Sequence, residues 1–188
     1  MTLLLFVRSF SFVNIFYFFP SVKVRSEISE FYVVVWAAIL VTLLWNPIAY
    51  LPLLYALLIY RLIDGVNYRL CIIFIDRYMP SWGLRSLNRS FILLGINYFE
   101  IILAFAILYL HTQSVGSTIS GLYTVSTPAE ALYFSSMTIL TLSFGDFKPL
   151  TPIGKMLVVL EPILGVLLIV LVVGVFLTGM RDIREKSL

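Results

Sequence analysis

The run Thr138-Ile139-Leu140-Thr141-Leu142-Ser143-Phe144-Gly145-Asp146 constrains the fold of this chain more than any other segment. It carries hydroxyls, a glycine and an acid, yet it lies between an apolar stretch before it and a strongly apolar run of helix length after it. Hydrocarbon offers no hydrogen bonds to an irregular backbone, so such a segment at membrane depth must face protein or water. A re-entrant loop meets that demand. The chain enters as a short helix, turns, and leaves on the side from which it came.

The surroundings are those of an integral membrane protein. Hydrophobic residues make up 61% of the chain and charged residues 12%, and the mean hydropathy is +1.01. A soluble domain of 188 residues with that composition would expose too much apolar surface. Phe91 to Leu110 is a run of about 20 residues broken only by Asn97 and Glu100, enough to cross about 30 Å of hydrocarbon. Ile153 to Met180 is longer, and its core from Ile163 to Leu177 has no polar side chain. The formal charge of +3 is small and the basic residues flank hydrophobic segments. Membrane topology accounts for them, and nucleic acid is not expected as a partner. The lone Cys71 has neither a disulfide partner nor a metal-ligand companion and reads as a packing residue. His111, just past an apolar stretch, reads as a solvated helix end. The sequence holds no Ser/His/Asp set, phosphate-cradling glycine loop or metal-spaced cluster, so no catalytic residues are assigned and enzymatic chemistry is not expected.

Thr127-Pro128-Ala129-Glu130 places threonine at an N-cap, proline at N1 and glutamate at N3, a capping box. It predicts a helix over 128–140, which at about 20 Å is too short to span. Arg61, Arg69, Arg77, Arg85 and Arg89 precede the first span, and Arg181, Arg184 and Lys186 follow the second. The loop 111–127 carries no charge. By the positive-inside rule both flanks are cytoplasmic and the loop faces out, with Lys148 and Lys155 as outnumbered exceptions.

The remaining segments follow from the same pattern. Residues 1–30 form an N-terminal apolar segment with Arg8 inside it, either a span, an interfacial helix or an uncleaved signal-like stretch. Residues 31–60, with Asn46-Pro47 near the middle, read as a tight hydrophobic hairpin in preference to one kinked helix. Residues 61–89 read as a cytoplasmic interfacial amphipathic segment, mixing apolar residues with Asp64, Arg69, Asp76 and Arg77. The arginines at 61, 69, 77 and 85 recur every eighth position, which does not make a voltage-sensing face. Asn88-Arg89-Ser90 is a glycosylation sequon on the wrong side of the membrane to be used. Residues 181–188 form a short cytoplasmic tail.

The segment Thr141-Leu142-Ser143-Phe144-Gly145-Asp146 resembles the selectivity filter of tetrameric potassium channels, usually Thr-Val-Gly-Tyr-Gly-Asp, with Ser143 where that family has its first glycine. The resemblance covers 90–180 and takes in Tyr133-Phe134-Ser135, Thr138, Pro149, Thr151-Pro152-Ile153-Gly154 and Gly165. It implies an all-α integral membrane protein: outer helix, re-entrant pore helix and filter loop, then inner helix, after the N-terminal hairpin and interfacial helix. It further implies a multi-pass homotetramer in the cell membrane. Carbonyls of Thr141, Leu142, Ser143 and Phe144 would line the filter, with the Thr141 hydroxyl at the inner mouth, Gly145 retained for backbone freedom and Asp146 at the outer mouth. The expected function is a potassium-conducting cation channel of reduced selectivity, with the alternative of a non-conducting membrane scaffold or accessory subunit. Its partners would be its own copies, lipid and the permeant ions K+ and Na+. No cofactor and no resident metal are expected.

Ser143 is the departure from the family. A serine in the left-handed conformation costs roughly 1 kcal/mol where glycine costs little. The outcomes are an ordinary filter with shifted geometry, a wider and more hydrated filter, or loss of conduction, and the wider filter is the reading adopted. Two acids lie within the spans: Glu100, about 14 Å into the outer helix, and Glu161, about 12 Å into the inner one. Antiparallel packing would bring them to similar depth, and such acids are functional candidates. The favoured role is a protonated or hydrogen-bonded acid bracing the pore helix through its hydroxyls. Gly165 and Gly174 are gating or hinge candidates that would let the inner helix bend or permit close packing. Pro162 weakens the same helix by removing a backbone donor.

Overall fold

The computed structural model describes residues 22–46, 55–65, 87–117, 123–142 and 145–186. The elements are α1 (Val22–Trp45), α2 (55–65), α3 (Leu87–Thr112), β1 (Val115–Ser117), β2 (Tyr123–Thr124), α4 (Pro128–Ile139), β3 (Phe147–Pro149) and α5 (Pro152–Lys186). The reading of residues 1–19, and the positions Arg69, Cys71, Asp76, Arg77 and Arg85, lie outside the described residues. Two compact units divide the chain, one comprising Trp36–Leu58 and Tyr98–Leu167 and the other the remainder.

In the first unit, α3 is the central element. Its Leu103, Ala106, Ile107 and Tyr109 are fully buried, as are Ala131 of α4 and Val115 of β1. Tyr109 meets Phe134 of α4 edge to face at 4.9 Å, a geometry that favours the aromatic quadrupoles. By length and composition two windows suffice to cross a membrane: Gly95–Thr112 at mean hydropathy 1.4 and Pro152–Val170 at 2.3. They differ in cover, being 61% and 22% buried respectively. The sides of α5 over Pro152–Val170 therefore remain largely open, and its 35 residues make about 50 Å of helix, more than a bilayer core.

α5 begins as α4 does. Thr151 stands before Pro152, and its Oγ1 accepts the Gly154 N–H at 3.1 Å, satisfying one of the donors that a helix start leaves open. The helix continues through Pro162.

The described residues depart from a purely helical fold in one place. The Ser-, Thr- and Gly-rich stretch after α3 pairs into a three-stranded antiparallel sheet of order β2-β1-β3. Gly116 lies opposite Thr124 on one side and Lys148 on the other. Strands of two or three residues have no readable period, and β3 comes from beyond the candidate filter, so local pattern could not reveal the pairing.

In the second unit, Arg61 and Asp64 are 8% and 2% exposed, with Nη1 3.8 Å from Oδ2. The Arg61 guanidinium lies over the Tyr32 ring at 4.9 Å. A single straight helix would set residue 61 about 43 Å from residue 32, so the chain reverses between them. The first charges of the segment from residue 61 are thus buried against Tyr32 and each other. Such a pair adds little net stability, but removing one partner alone is costly.

Candidate functional site

α4 is held at its start by the capping box the sequence predicts. Thr127 is extended (φ −107°, ψ 146°), and its Oγ1 accepts the Glu130 N–H at 3.3 Å. Glu130 Oε2 accepts in return from Thr127 N–H at 3.3 Å and Ser126 N–H at 3.2 Å. Thr127→Ala is expected to cost about 1 kcal/mol, measured as a lower melting temperature of the assembled protein. An unchanged melt would mean that this cap does not limit stability.

The end of α4 is where the site begins. Leu140 is the C-cap. Beyond it, Thr141 N–H bonds to Thr138 O at 3.0 Å and Leu142 N–H to Met137 O at 2.9 Å. Thr141 sits at φ 55°. These two bonds and one left-handed residue make a Schellman motif, which ends many helices and usually places glycine at the left-handed position. Here the residue is a β-branched threonine, for which that conformation is a genuine outlier. Strain of this kind persists where the surrounding structure fixes it, and it clusters at functional sites.

The candidate filter is held at its far end too. Phe147 is buried, its ring 6.2 Å from Tyr133 of α4, and β3 pairs with β1. Thr141, Leu142, Gly145 and Asp146 are all exposed in the single chain, and Ser143 and Phe144 lie outside the described residues. Gly145 is not in the left-handed region and has nothing within 4 Å of a Cβ position. Within one chain, then, its conformation does not require glycine.

Behind this segment lies a buried polar cluster. Glu161 of α5 is 0% exposed. Tyr109 Oη donates to its Oε2 at 2.8 Å, and Ser135 Oγ bonds its Oε1. Ser135 Oγ also lies 2.8 Å from the Ile102 carbonyl. Glu161 is thus hydrogen-bonded to the Ser135 hydroxyl of α4. Glu100 is buried on α3, while the Tyr109 that holds Glu161 lies nine residues further along that helix. Gly165 is a packing glycine: an added Cβ would lie 2.7 Å from Ile139 Cγ1. Gly174 has nothing within 4 Å. Tyr98 Oη reaches the Ile139 carbonyl at 3.4 Å, so the last turn of α4 is touched from both α3 and α5.

Sequence reasoning missed the left-handed Thr141, the Phe147 anchor and the close packing of Gly154, where an added Cβ would lie 2.5 Å from the Ser114 carbonyl oxygen. None of the three left a local signal; the Thr-Pro pair at 151–152, which repeats the one at 127–128, marks only the start of α5.

Residues 97–182 match the family model described as an ion channel. No curated protein and no solved structure matches the chain. The match and the two apolar helices support an ion-channel pore module and ion transport across a membrane as its work.

Proposed function

We propose that four copies of this chain assemble around residues 141–145 into a potassium-type cation channel with a weakened preference for potassium over sodium. The observation that carries this reading is the exposure of Thr141, Leu142, Gly145 and Asp146, in a segment held on one side by the helix-terminating motif of α4 and on the other by β3. A permeating cation must exchange its hydration shell for oxygens held at similar distances, and rings of backbone carbonyls supply them without a buried fixed charge. One chain provides one quarter of such a ring. The C-terminal end of α4 carries partial negative charge that favours a cation near it.

Assembly also suits the surface of α5. Met156, Val159, Ile163 and Val166 are exposed at helical spacing, an apolar stripe for lipid and neighbouring copies to cover. In this reading both flanks of the module are cytoplasmic, the loop of 111–127 faces out, and the only ions involved are the permeant K+ and Na+.

Native mass spectrometry in mild detergent is expected to give a tetramer, and planar bilayers containing that tetramer are expected to show unitary cation currents. A stable monomer or dimer would sink the pore model. An intact but silent tetramer would favour the scaffold alternative.

A further inference from the structure

Glu161 meets no ion path in the single chain, yet it is the most completely buried acid of the first unit and both of its oxygens are engaged. Its contact with α4 is repeated one turn on. Glu161 and Gly165 lie four apart on one face of α5, and they meet Ser135 and Ile139, four apart on one face of α4. Two contacts a turn apart fix the rotation of a helix as well as its position. The turn they fix contains Met137 and Thr138, whose carbonyls accept from Leu142 and Thr141.

We propose that Glu161 is a positioning residue for the selectivity filter. It holds the last turn of α4 from behind and so sets the left-handed Thr141, making ion preference depend on a side chain that touches no ion. This rests on the channel reading above.

The hydrogen bonds suggest the right probe. Ser135 has one proton and two acceptors within reach, the Ile102 carbonyl and the Glu161 carboxyl. The count closes when residue 161 donates to Ser135 Oγ, which then donates to Ile102, while the other oxygen accepts from Tyr109. Glutamine supplies the same donor and acceptor; leucine supplies neither. Of the two bonds to Glu161, the one from Ser135 comes from α4 itself, while Tyr109 belongs to α3 and meets α4 at Phe134.

The test uses the full-length assembled protein. Hydrogen exchange reads the amides of Thr141 and Leu142, and bi-ionic reversal potentials in planar bilayers read the preference of potassium over sodium. In Glu161→Leu those amides are expected to exchange about tenfold faster, with the potassium preference reduced. Glu161→Gln should restore both to near the parent. Ser135→Ala should act in the same direction as Glu161→Leu and carries the test if the leucine variant does not assemble. A conducting parent whose exchange and reversal potential are untouched by Glu161→Leu overturns the positioning role alone. A parent tetramer that carries no current overturns the channel reading, and with it the effect on ion preference.

Discussion

Gly154→Ala is expected to destabilise the assembled protein by about 1–3 kcal/mol, the usual cost of forcing atoms into a packed site. The added Cβ would lie 2.5 Å from the Ser114 carbonyl oxygen and 3.2 Å from its carbon. This neighbour is backbone and cannot swing aside. The same carbonyl accepts Leu150 N–H at 2.8 Å and Thr151 N–H at 3.4 Å, and the Ser114 hydroxyl accepts from Thr112 Oγ1 at 2.8 Å. Moving it would loosen the joint between the end of α3, the strand leaving the filter and the start of α5. Alanine normally gains about 0.5–1 kcal/mol over glycine in a helix, less than the clash removes. Gly95→Ala and Gly174→Ala, with nothing within 4 Å of the new carbon, should show that gain without the clash. Thermal melts of the detergent-solubilised protein would read all three. A Gly154→Ala protein as stable as the parent would mean that the joint yields at no cost.

The parts of this fold that could be read in the sequence are those whose causes are local. The cap at Thr127 needs only residues 126–130, and all of them are adjacent in the chain. The two span-length helices follow from composition alone. Glu161 follows a different logic: an acid buried at membrane depth must find partners, and it meets hydroxyls of both α4 and α3, Ser135 and Tyr109. What stayed hidden depends on partners far along the chain. β3 pairs with β1 from about thirty residues away, and three-residue strands have no period to betray them. Arg61 and Asp64 are buried with Tyr32, which lies about thirty residues earlier in the chain. Thr141 was hidden most deeply. Residue type argues against a left-handed threonine, so the sequence points to strain at Ser143, while hydrogen bonds to Met137 and Thr138 hold Thr141 left-handed.

That pairing of positions gives the prediction with the largest effect on function. Ser143→Gly is expected to raise the preference for potassium over sodium by about tenfold, the ratio that a difference of about 1.4 kcal/mol between the two ions gives. Glycine at the position that the filter resemblance assigns to a left-handed residue would recover roughly 1 kcal/mol per chain. With four copies on one axis, as proposed, the relief would act on the whole ring at once. Losing four hydroxymethyl groups from a narrow ring would also let the carbonyls close to the spacing that a dehydrated potassium ion needs. Thr141→Ala tests the neighbouring element separately. It removes the hydroxyl assigned to the inner mouth while the hydrogen bonds that hold Thr141 at φ 55° come from the backbone and remain. That variant should weaken ion binding at the inner mouth without raising selectivity. Bi-ionic reversal potentials separate the two outcomes. A parent already strongly selective for potassium, and unmoved by Ser143→Gly, would show that serine is tolerated there and that the filter is not widened by it.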